Sequence, residues 1–269
     1  MSEQQAARTV LITGASAGIG AAFAEEFARH GFNLVLSARR EARLTSLAER
    51  VRKRYPVEAQ IVVADLSDPA APPALFKRLQ RSDTHVDVLV NNAGYGVAHK
   101  YAATRWEDQA ALLQVMVTAV CHLTHLFLPG MLDRGYGRII NVASLAGLVP
   151  GSAGHTLYGA CKACLIRFSE SLHAENAQQN VFCTALCPGF THSEFHDVAG
   201  TREQVSRLPN YLWMGADEVA RDGYAAVMRG TPVYINGWVN RGIARLARFL
   251  PQGLGRRLVR QRSKDFRKL

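Results

Sequence analysis

The chain has 269 residues, of which 48% are hydrophobic and 20% charged. This composition is typical of a globular protein with a substantial core and excludes a disordered or fibrous chain. The segment before Arg8 is short and polar, and apolar runs stay below the roughly 20 residues of a membrane span. We therefore expect no signal peptide or membrane-spanning helix, and a cytoplasmic protein.

The formal net charge of +10 is concentrated at one end of the chain. Residues 241–268 contain ten Lys and Arg residues and a single acid, Asp265, whereas the rest of the chain holds 22 basic and 21 acidic residues. No aromatic residues interleave with the basic ones in the manner of a nucleic-acid module, so nucleic acid is not an expected partner.

The five cysteines are an odd number in a chain too long to need disulfides. Cys161 and Cys164 form a C-x-x-C pattern, but it falls inside a predicted helix and not at a helix N-terminus, where thiolates are stabilised. Small buried thiols are the favoured interpretation and a redox pair is the alternative. No histidine pair stands at ligand spacing beside them, so we predict no metal site.

Short apolar runs alternate with helical patterns up to about residue 236. The predicted strands cover residues 10–12, 34–36, 61–63, 86–90, 139–142, 181–186 and 233–235. The predicted helices cover residues 19–30, 41–54, 70–82, 105–131, 156–179 and 216–229, and a capping-box pattern at Thr104 and Glu107 marks one of their starts. This rhythm predicts an α/β fold: a Rossmann-type, doubly wound parallel sheet of about seven strands with helices on both faces. We expect one domain over residues 1–240 and a basic, helical, amphipathic extension over residues 241–269.

A glycine-rich segment, TGASAGIG at residues 13–20, follows the first strand and opens the first helix. Glycines at this spacing allow a tight turn, close approach of the backbone to a pyrophosphate and close packing of helix on strand. The helix N-terminus adds free N–H groups and a partial positive charge. The segment predicts a dinucleotide site at Gly14, Ser16, Ala17, Gly18, Ile19 and Gly20.

The end of the second strand favours NADP(H) over NAD(H). An acid there would bind the ribose 2′-hydroxyl, but this chain has small residues followed by Arg39 and Arg40. Guanidinium groups match a phosphate in charge and geometry. The alternative is a pair of surface arginines that opens the next helix.

These residues resemble the short-chain dehydrogenase/reductase family over residues 8 to about 236. The resemblance rests on five motifs in order: the glycine segment, NNAG at residues 91–94, Ser144, YGACK at residues 158–162, and Pro188-Gly189. It implies an oxidoreductase that works as a homo-oligomer, a dimer or tetramer, in which the helices over residues 105–131 and 156–179 form the interfaces. It also implies that further residues line the cofactor, namely Asp65, Leu66, Asn92, Ala93, Gly94, Pro188, Gly189, Thr191 and Ser193.

The proposed chemistry is hydride transfer between nicotinamide and a carbonyl or alcohol carbon. Tyr158 and Lys162 are four residues apart and share a helix face. We expect the ammonium to lower the pKa of the phenol, which makes Tyr158 a general acid and base. Ser144 would polarise the substrate oxygen, and the resemblance implies that Lys162 also binds the nicotinamide ribose. The alternative to a catalytic role is that Tyr158 and Lys162 form an ordinary i,i+4 pair on a solvated helix face.

One residue departs from the family pattern. Met116 stands where the family usually has an asparagine that is thought to hold a water between the lysine and solvent. A thioether is only a weak acceptor. This departure keeps a second hypothesis open, a catalytically weak dinucleotide-binding sensor or scaffold protein.

The segment after Gly189 is rich in aromatic and apolar residues, which predicts an apolar substrate of medium size, with Phe190 among its contacts. Those residues are Phe190, Phe195, Val198, Leu208, Tyr211, Leu212, Trp213 and Met214. His155 would border the site or be a loop residue without a role. The basic tail would lie on an anionic membrane surface, cover the substrate opening, pack on a neighbouring subunit or remain solvated.

Overall fold

The computed structural model describes residues 7–97, 100–151, 153, 156–195, 206 and 209–249. His155, Val198 and Leu208, and the tail from residue 250 onward, lie outside the described residues.

A parallel sheet forms the centre of the molecule, and its strands alternate with helices along the chain. In chain order the elements are β1 (Thr9–Thr13), α1 (Gly18–Arg29), β2 (Asn33–Ala38), α2 (Glu41–Arg54), β3 (Ala59–Val63), α3 (Ala71–Arg81), β4 (Val88–Asn91), α4 (Trp106–Leu113), α5 (Ala119–Asp133), β5 (Gly137–Val142), α6 (Thr156–Asn176), β6 (Val181–Cys187), β7 (Phe190–Thr191), β8 (Trp213–Met214), α7 (Ala216–Met228), β9 (Val233–Ile235) and α8 (Trp238–Phe249).

The main sheet has seven strands in the order β3-β2-β1-β4-β5-β6-β9, and each pair is parallel. The strand order reverses between β1 and β4, which is where a doubly wound sheet binds its ligand, beyond the carboxyl ends of the strands. The predicted fold class is confirmed, including the helical start of the C-terminal extension.

Helices cover both faces of the sheet because successive side chains of each strand point to opposite sides. Val10 and Ile12 of β1 join a buried cluster with α1, α2 and α7. Leu11, between them, joins a second cluster with α3, α4, α5 and α6. The strand sequences are therefore continuous apolar runs, as expected for a sheet that is buried on both sides.

The long helix predicted over residues 105–131 is interrupted. A π-helical turn, Gln114–Thr118, separates α4 from α5. The capping box is also wrong, because α4 begins at Trp106 and Thr104 instead closes a turn by donating to the Tyr101 carbonyl. By length and composition alone, the segment Trp106–Asp133 could cross a membrane. Its buried side chains pack against the sheet in the second cluster, as those of a core helix do.

Candidate active site

The glycine segment forms a tight loop between β1 and α1 that larger residues could not adopt. Gly14 has a φ of +66°, and a Cβ atom there would lie 2.8 Å from Ala93 Cα. A Cβ atom on Gly20 would lie 2.4 Å from the Gly14 carbonyl oxygen. The loop therefore needs glycine both for its backbone conformation and for close packing of α1.

Residues at the end of β4 hold this loop in place. The Asn92 side chain donates to the carbonyl oxygens of Thr13 (2.9 Å) and Gly14 (3.2 Å). The Thr13 hydroxyl accepts from the backbone N–H groups of Asn92 (3.0 Å) and Ala93 (3.2 Å). The NNAG segment thus braces the loop from the neighbouring strand.

The first turn of α1 is suited to an anion. Ala17 occupies the N-cap position and has no polar side chain to cap the helix. A Cβ atom on Gly18 would lie 2.9 Å from Ser193 Cβ, so the segment after β6 lies directly over the loop. The narrow backbone cradle and the uncapped helix N-terminus fit a dinucleotide pyrophosphate.

The two arginines after β2 point to different neighbours. Arg40 donates from Nε and Nη2 to the Ser16 hydroxyl, at 3.2 and 3.0 Å, so its guanidinium lies on the glycine loop. Arg39 lies on the other side, with Nη1 3.9 Å from the Asp65 carboxylate.

Arg40 also belongs to a surface cluster that the sequence did not indicate. Its Nη1 is 2.8 Å from a carboxylate oxygen of Glu194, and Arg43 of α2 binds the other oxygen of that carboxylate. These hydrogen bonds hold the pKa of Glu194 below its usual range. The Glu194 carboxylate thus binds two guanidinium groups, those of Arg40 and Arg43, beside the glycine loop.

Asp65 and Leu66 follow β3 at the same edge of the sheet. Burial alone would raise the pKa of Asp65, but the hydrogen bonds from Ser67 (N–H 3.0 Å, hydroxyl 2.8 Å) and the charge of Arg39 outweigh it, and the pKa is lowered. Leu66 is buried in the second cluster. The side chain of Asp65 is thus an oriented acceptor beside the loop.

Ser144 lies just beyond the carboxyl end of β5, at the start of a short 3₁₀ turn, Leu145–Gly147. Its hydroxyl accepts from the backbone N–H of Ala146 at 3.1 Å. Gly147 lets this turn approach α6, because a Cβ atom there would lie 2.7 Å from the Lys162 carbonyl carbon. The turn thereby places Ser144 beside the face of α6 that carries Tyr158.

Tyr158 and Lys162 lie on one face of α6, as their spacing predicts. The Lys162 ammonium donates to the Val142 carbonyl at 2.6 Å and lies 5.7 Å from the centre of the Tyr158 ring. Burial lowers the pKa of Lys162 to about 8, against the smaller opposing effects of the Cys161 and Cys187 thiols.

The expected lowering of the phenol pKa does not occur in this structure. Burial raises the pKa of Tyr158 to about 12, and its side-chain hydrogen bond with Ser144 offsets only part of that effect. Desolvation disfavours the phenolate, and the nearby Lys162 ammonium is engaged by the Val142 carbonyl. The expectation was wrong because the spacing of two residues does not reveal how deeply a phenol is buried.

Met116 lies in the π-helical turn and is 1% exposed. Its Cε and Cγ atoms lie 3.7 Å from the position that a Cβ atom would take at Gly94. The thioether therefore packs against the NNAG segment.

The segment after β6 brings the other predicted residues to the same edge. The Pro188 carbonyl accepts from the Leu145 N–H at 2.9 Å, which ties this segment to the Ser144 turn. Thr191 is buried and pairs with Met214 in the short sheet of β7 and β8. The ring of Phe190 lies 5.7 Å from that of Trp213, and the ring of Phe195 lies 5.5 Å from that of Tyr158.

The C-terminal helix also contributes to this region. A Cβ atom on Gly189 would lie 2.5 Å from the Asn240 side-chain nitrogen, so α8 packs directly against the segment after β6. The Asn240 side chain is buried and donates to the Asn236 carbonyl at 2.8 Å. Asn240, Arg43 and Glu194 had no sequence signal, because each contact joins residues far apart in the chain.

Comparisons with known proteins agree with this geometry. The family model described as short chain dehydrogenase matches residues 8–204. Sulfoacetaldehyde reductase of Chromohalobacter salexigens is 38% identical over 224 residues, which cover 82% of this chain and 81% of that protein.

Solved structures are similar over most of the chain. A short-chain dehydrogenase from Sphingobium yanoikuyae in complex with NADPH has 35% identity and a TM-score of 0.80, covering 92% of this chain and 94% of its own. The bulky-bulky ketone specific alcohol dehydrogenase from Comamonas testosteroni has 31% identity and a TM-score of 0.75, covering 92% and 93%. The chain therefore belongs to the short-chain dehydrogenase family of oxidoreductases.

Proposed function

We propose that this chain is an NADP(H)-dependent reductase of ketones or aldehydes, with a medium-sized apolar substrate. The observation that carries the proposal is a half-buried tyrosine, Tyr158, whose side chain is hydrogen-bonded to Ser144 at the same edge of the sheet as the glycine loop. Because β1 and β5 are parallel, the loop after β1 and the Ser144 turn after β5 face the same side.

The cofactor assignment rests on the backbone cradle and on the charge beside it. The loop from Gly14 to Gly20 and the first turn of α1 would hold the pyrophosphate. Ser16, Arg39 and Arg40 would bind the 2′-phosphate, since a guanidinium–phosphate pair is a strong, charge-assisted contact. The NADPH complex of the Sphingobium yanoikuyae relative supports this choice.

The other cofactor contacts follow from position at this edge. Asp65 and Leu66 would face the adenine, and Asn92, Ala93 and Gly94 the adenosine ribose. Pro188, Gly189, Thr191 and Ser193 would line the nicotinamide and phosphates, since this segment covers Gly18.

When bound, NADPH would supply the hydride for the carbonyl carbon, and the residues of this chain would place the substrate and provide the proton. Tyr158 donates the proton to the carbonyl oxygen, and a phenol with a pKa of about 12 is protonated at neutral pH, as a general acid must be. The Ser144 hydroxyl donates a hydrogen bond to the same oxygen as negative charge develops there.

Lys162 has a positioning and electrostatic role. With a pKa of about 8 its ammonium is largely charged at neutral pH, and the Val142 carbonyl fixes its place. It would bind the nicotinamide ribose and stabilise the phenolate that proton donation leaves behind. In the oxidative direction Tyr158 must first lose its proton, so rising pH favours oxidation.

The substrate class follows from the aromatic side chains after β6. The ring of Phe195 lies on Tyr158, and the rings of Phe190 and Trp213, which pack on each other in β7 and β8, would extend this apolar border. The relative from Comamonas testosteroni is a bulky-bulky ketone specific alcohol dehydrogenase, which supports a bulky carbonyl substrate. We also propose a homo-oligomer, as family members form, with α4, α5 and α6 at the interfaces.

A catalytically weak cofactor sensor is the second candidate, and Met116 is the residue that favours it. The buried thioether provides no amide for a water that would return protons to Lys162. The two candidates share cofactor binding and differ in turnover.

The test is NADPH consumption in the presence of a panel of ketones and aldehydes, graded from small to bulky. We expect carbonyl-dependent consumption that is greatest for bulky apolar members and equals the alcohol formed. Tight NADPH binding with no turnover across the panel would favour the sensor.

A further inference from the structure

Helix α8 presents an apolar stripe to solvent. Trp238, Leu246 and Phe249 are 77%, 58% and 80% exposed, and Ile243 is 38% exposed at the edge of the stripe. At 100° per residue the first three project from one side of the helix. Isolated exposed apolar side chains are common, but a continuous stripe on a single helix marks a binding surface.

The opposite side of α8 is anchored to the enzyme. Asn240 and Ala244 are buried, and Asn240 packs against Gly189 and Met214. Because one side is fixed in this way, the apolar stripe cannot turn inward to join the core. Within the part of the chain that the structure describes, the stripe therefore stays on the outer side of α8.

Positive charge borders the stripe on one side. Arg241, Arg245 and Arg248 lie along that border, and none of them forms an ion pair among the residues the structure describes. The sequence contains no Asp or Glu from residue 223 to residue 264. The arginines therefore have no acidic partner near them in the chain.

We propose that α8 docks this protein on an anionic lipid surface, with the stripe inserted at the headgroup boundary and the arginines on lipid phosphates. A helix with Trp, Phe and Leu on one side and arginines beside them is suited to that boundary. Negative headgroups supply the charge that the chain lacks there.

A second copy of the chain is less suited than an anionic lipid surface to cover the stripe. In a two-fold interface the same surface meets itself, so the second copy would bring three more arginines to the contact and no acid from residues 223–264 to pair with them. Like charges across an interface oppose association. The charge pattern therefore favours lipid.

Docking through α8 would place the active site next to the membrane. Asn240 joins the helix to Gly189, in the segment that borders the catalytic residues. A lipid-soluble carbonyl would then have a short path from the bilayer. This consequence depends on the proposed function, whereas the docking does not.

The experiment is flotation of the full-length protein with vesicles of phosphatidylglycerol and phosphatidylcholine, or of phosphatidylcholine alone. We expect flotation with the anionic vesicles, little with the neutral ones, and release by salt, which screens surface charge. The double variant Leu246→Glu/Phe249→Glu should bind anionic vesicles at least about tenfold more weakly. Tyr101→Glu, which changes an exposed tyrosine in the turn before α4, should float like the wild type.

NADPH binding, measured by fluorescence, should be equal in all these proteins and shows that they are folded. Unchanged flotation of the double variant would overturn the proposal, because the segment beyond residue 249 would then be sufficient. No flotation of the wild type would overturn it as well. A fall in particle mass by light scattering in the double variant, without a change in flotation, would assign the stripe to a second copy.

Discussion

The glycine loop after β1 and the aromatic segment after β6 face the same edge of the sheet, but different kinds of interaction hold them. The loop is fixed by the backbone conformation of its glycines and by hydrogen bonds between backbone groups and the side chains of Thr13 and Asn92. The aromatic segment is anchored by the short β7–β8 pairing, and its surface is formed by packed side chains that can be exchanged, such as Phe190 on Trp213. The first arrangement permits few sequences and the second permits many.

This contrast matches the roles that we propose for the two regions, cofactor binding by the loop and substrate binding by the aromatic segment. A backbone cradle suits a cofactor of fixed shape, whereas exchangeable side chains suit the surface that selects a substrate. Substitutions on the catalytic and cofactor side should therefore have larger effects than substitutions among the aromatic rings.

The largest expected effect is at the proton donor between the two regions. Tyr158→Phe removes the phenolic proton and should lower kcat by about 10²- to 10⁴-fold, the usual contribution of general acid catalysis. NADPH affinity should stay within about twofold, since the ring is retained, and a fluorescence titration checks it. A variant that keeps wild-type kcat would remove Tyr158 from the mechanism.

On the cofactor side, Arg40→Ala should weaken NADPH by about 10- to 100-fold, the value of a hydrogen bond to a charged group, and leave NADH nearly unchanged. Glu194→Gln provides the matched opposite change, because it frees Arg40 and Arg43 from a carboxylate and should tighten NADPH. The measurement is the dissociation constant of NADPH and of NADH for each variant and for the wild type. Equal weakening of NADPH and NADH in the alanine variant would contradict a 2′-phosphate role.

Replacement of Lys162 should increase the free energy of unfolding and abolish activity. Folding lowers its pKa from 10.5 to about 8, so the buried charge costs up to about 3 kcal/mol at neutral pH. Lys162→Met removes that cost but leaves the Val142 carbonyl without its donor, a loss of about 1–3 kcal/mol. The variant should be inactive and about 1 kcal/mol more stable at neutral pH.

The sign of the pH dependence follows from the lowered pKa. Below pH 8 Lys162 is charged in both the folded and the unfolded protein, so the full free-energy cost of burying the charge lowers stability. As the pH rises from about 8 toward 10.5, the folded protein holds a neutral lysine and the unfolded lysine gradually loses its charge, so this cost disappears. The stability advantage of Lys162→Met should thus shrink and reverse over that range in urea unfolding. A variant that is less stable at neutral pH and shows a pH-independent difference would rule out a buried charge.

The smallest expected effect is among the aromatic rings. Phe195→Leu removes the ring packed on Tyr158 and should raise KM for a bulky ketone by about two- to tenfold, the worth of one aromatic pair. Tyr211→Leu changes an exposed ring two residues before Trp213 and should have a smaller effect on KM. If Phe195→Leu affected NADPH binding more than KM, the ring would belong to the cofactor side instead.

The sequence predicted the features that depend on local chemistry. The doubly wound parallel sheet, the glycine loop and the shared face of Tyr158 and Lys162 all follow from spacing along the chain and from the conformational freedom of glycine. The π-helical turn around Met116 and the bridge from Glu194 to Arg40 were not predicted. A π turn has no residue signature, and residues 40 and 194 meet only when loops after β2 and β6 converge.

Isotope transfer tests the central claim most directly, namely that this site moves hydride from NADPH to a carbonyl carbon. The wild-type enzyme is supplied with NADPH that carries deuterium at the transferring position of the nicotinamide, together with the best ketone of the panel. The account predicts an alcohol with one deuterium on the former carbonyl carbon, formed by the wild type and lost in Tyr158→Phe. NADPH bound with unlabelled product, or with no product, would contradict it.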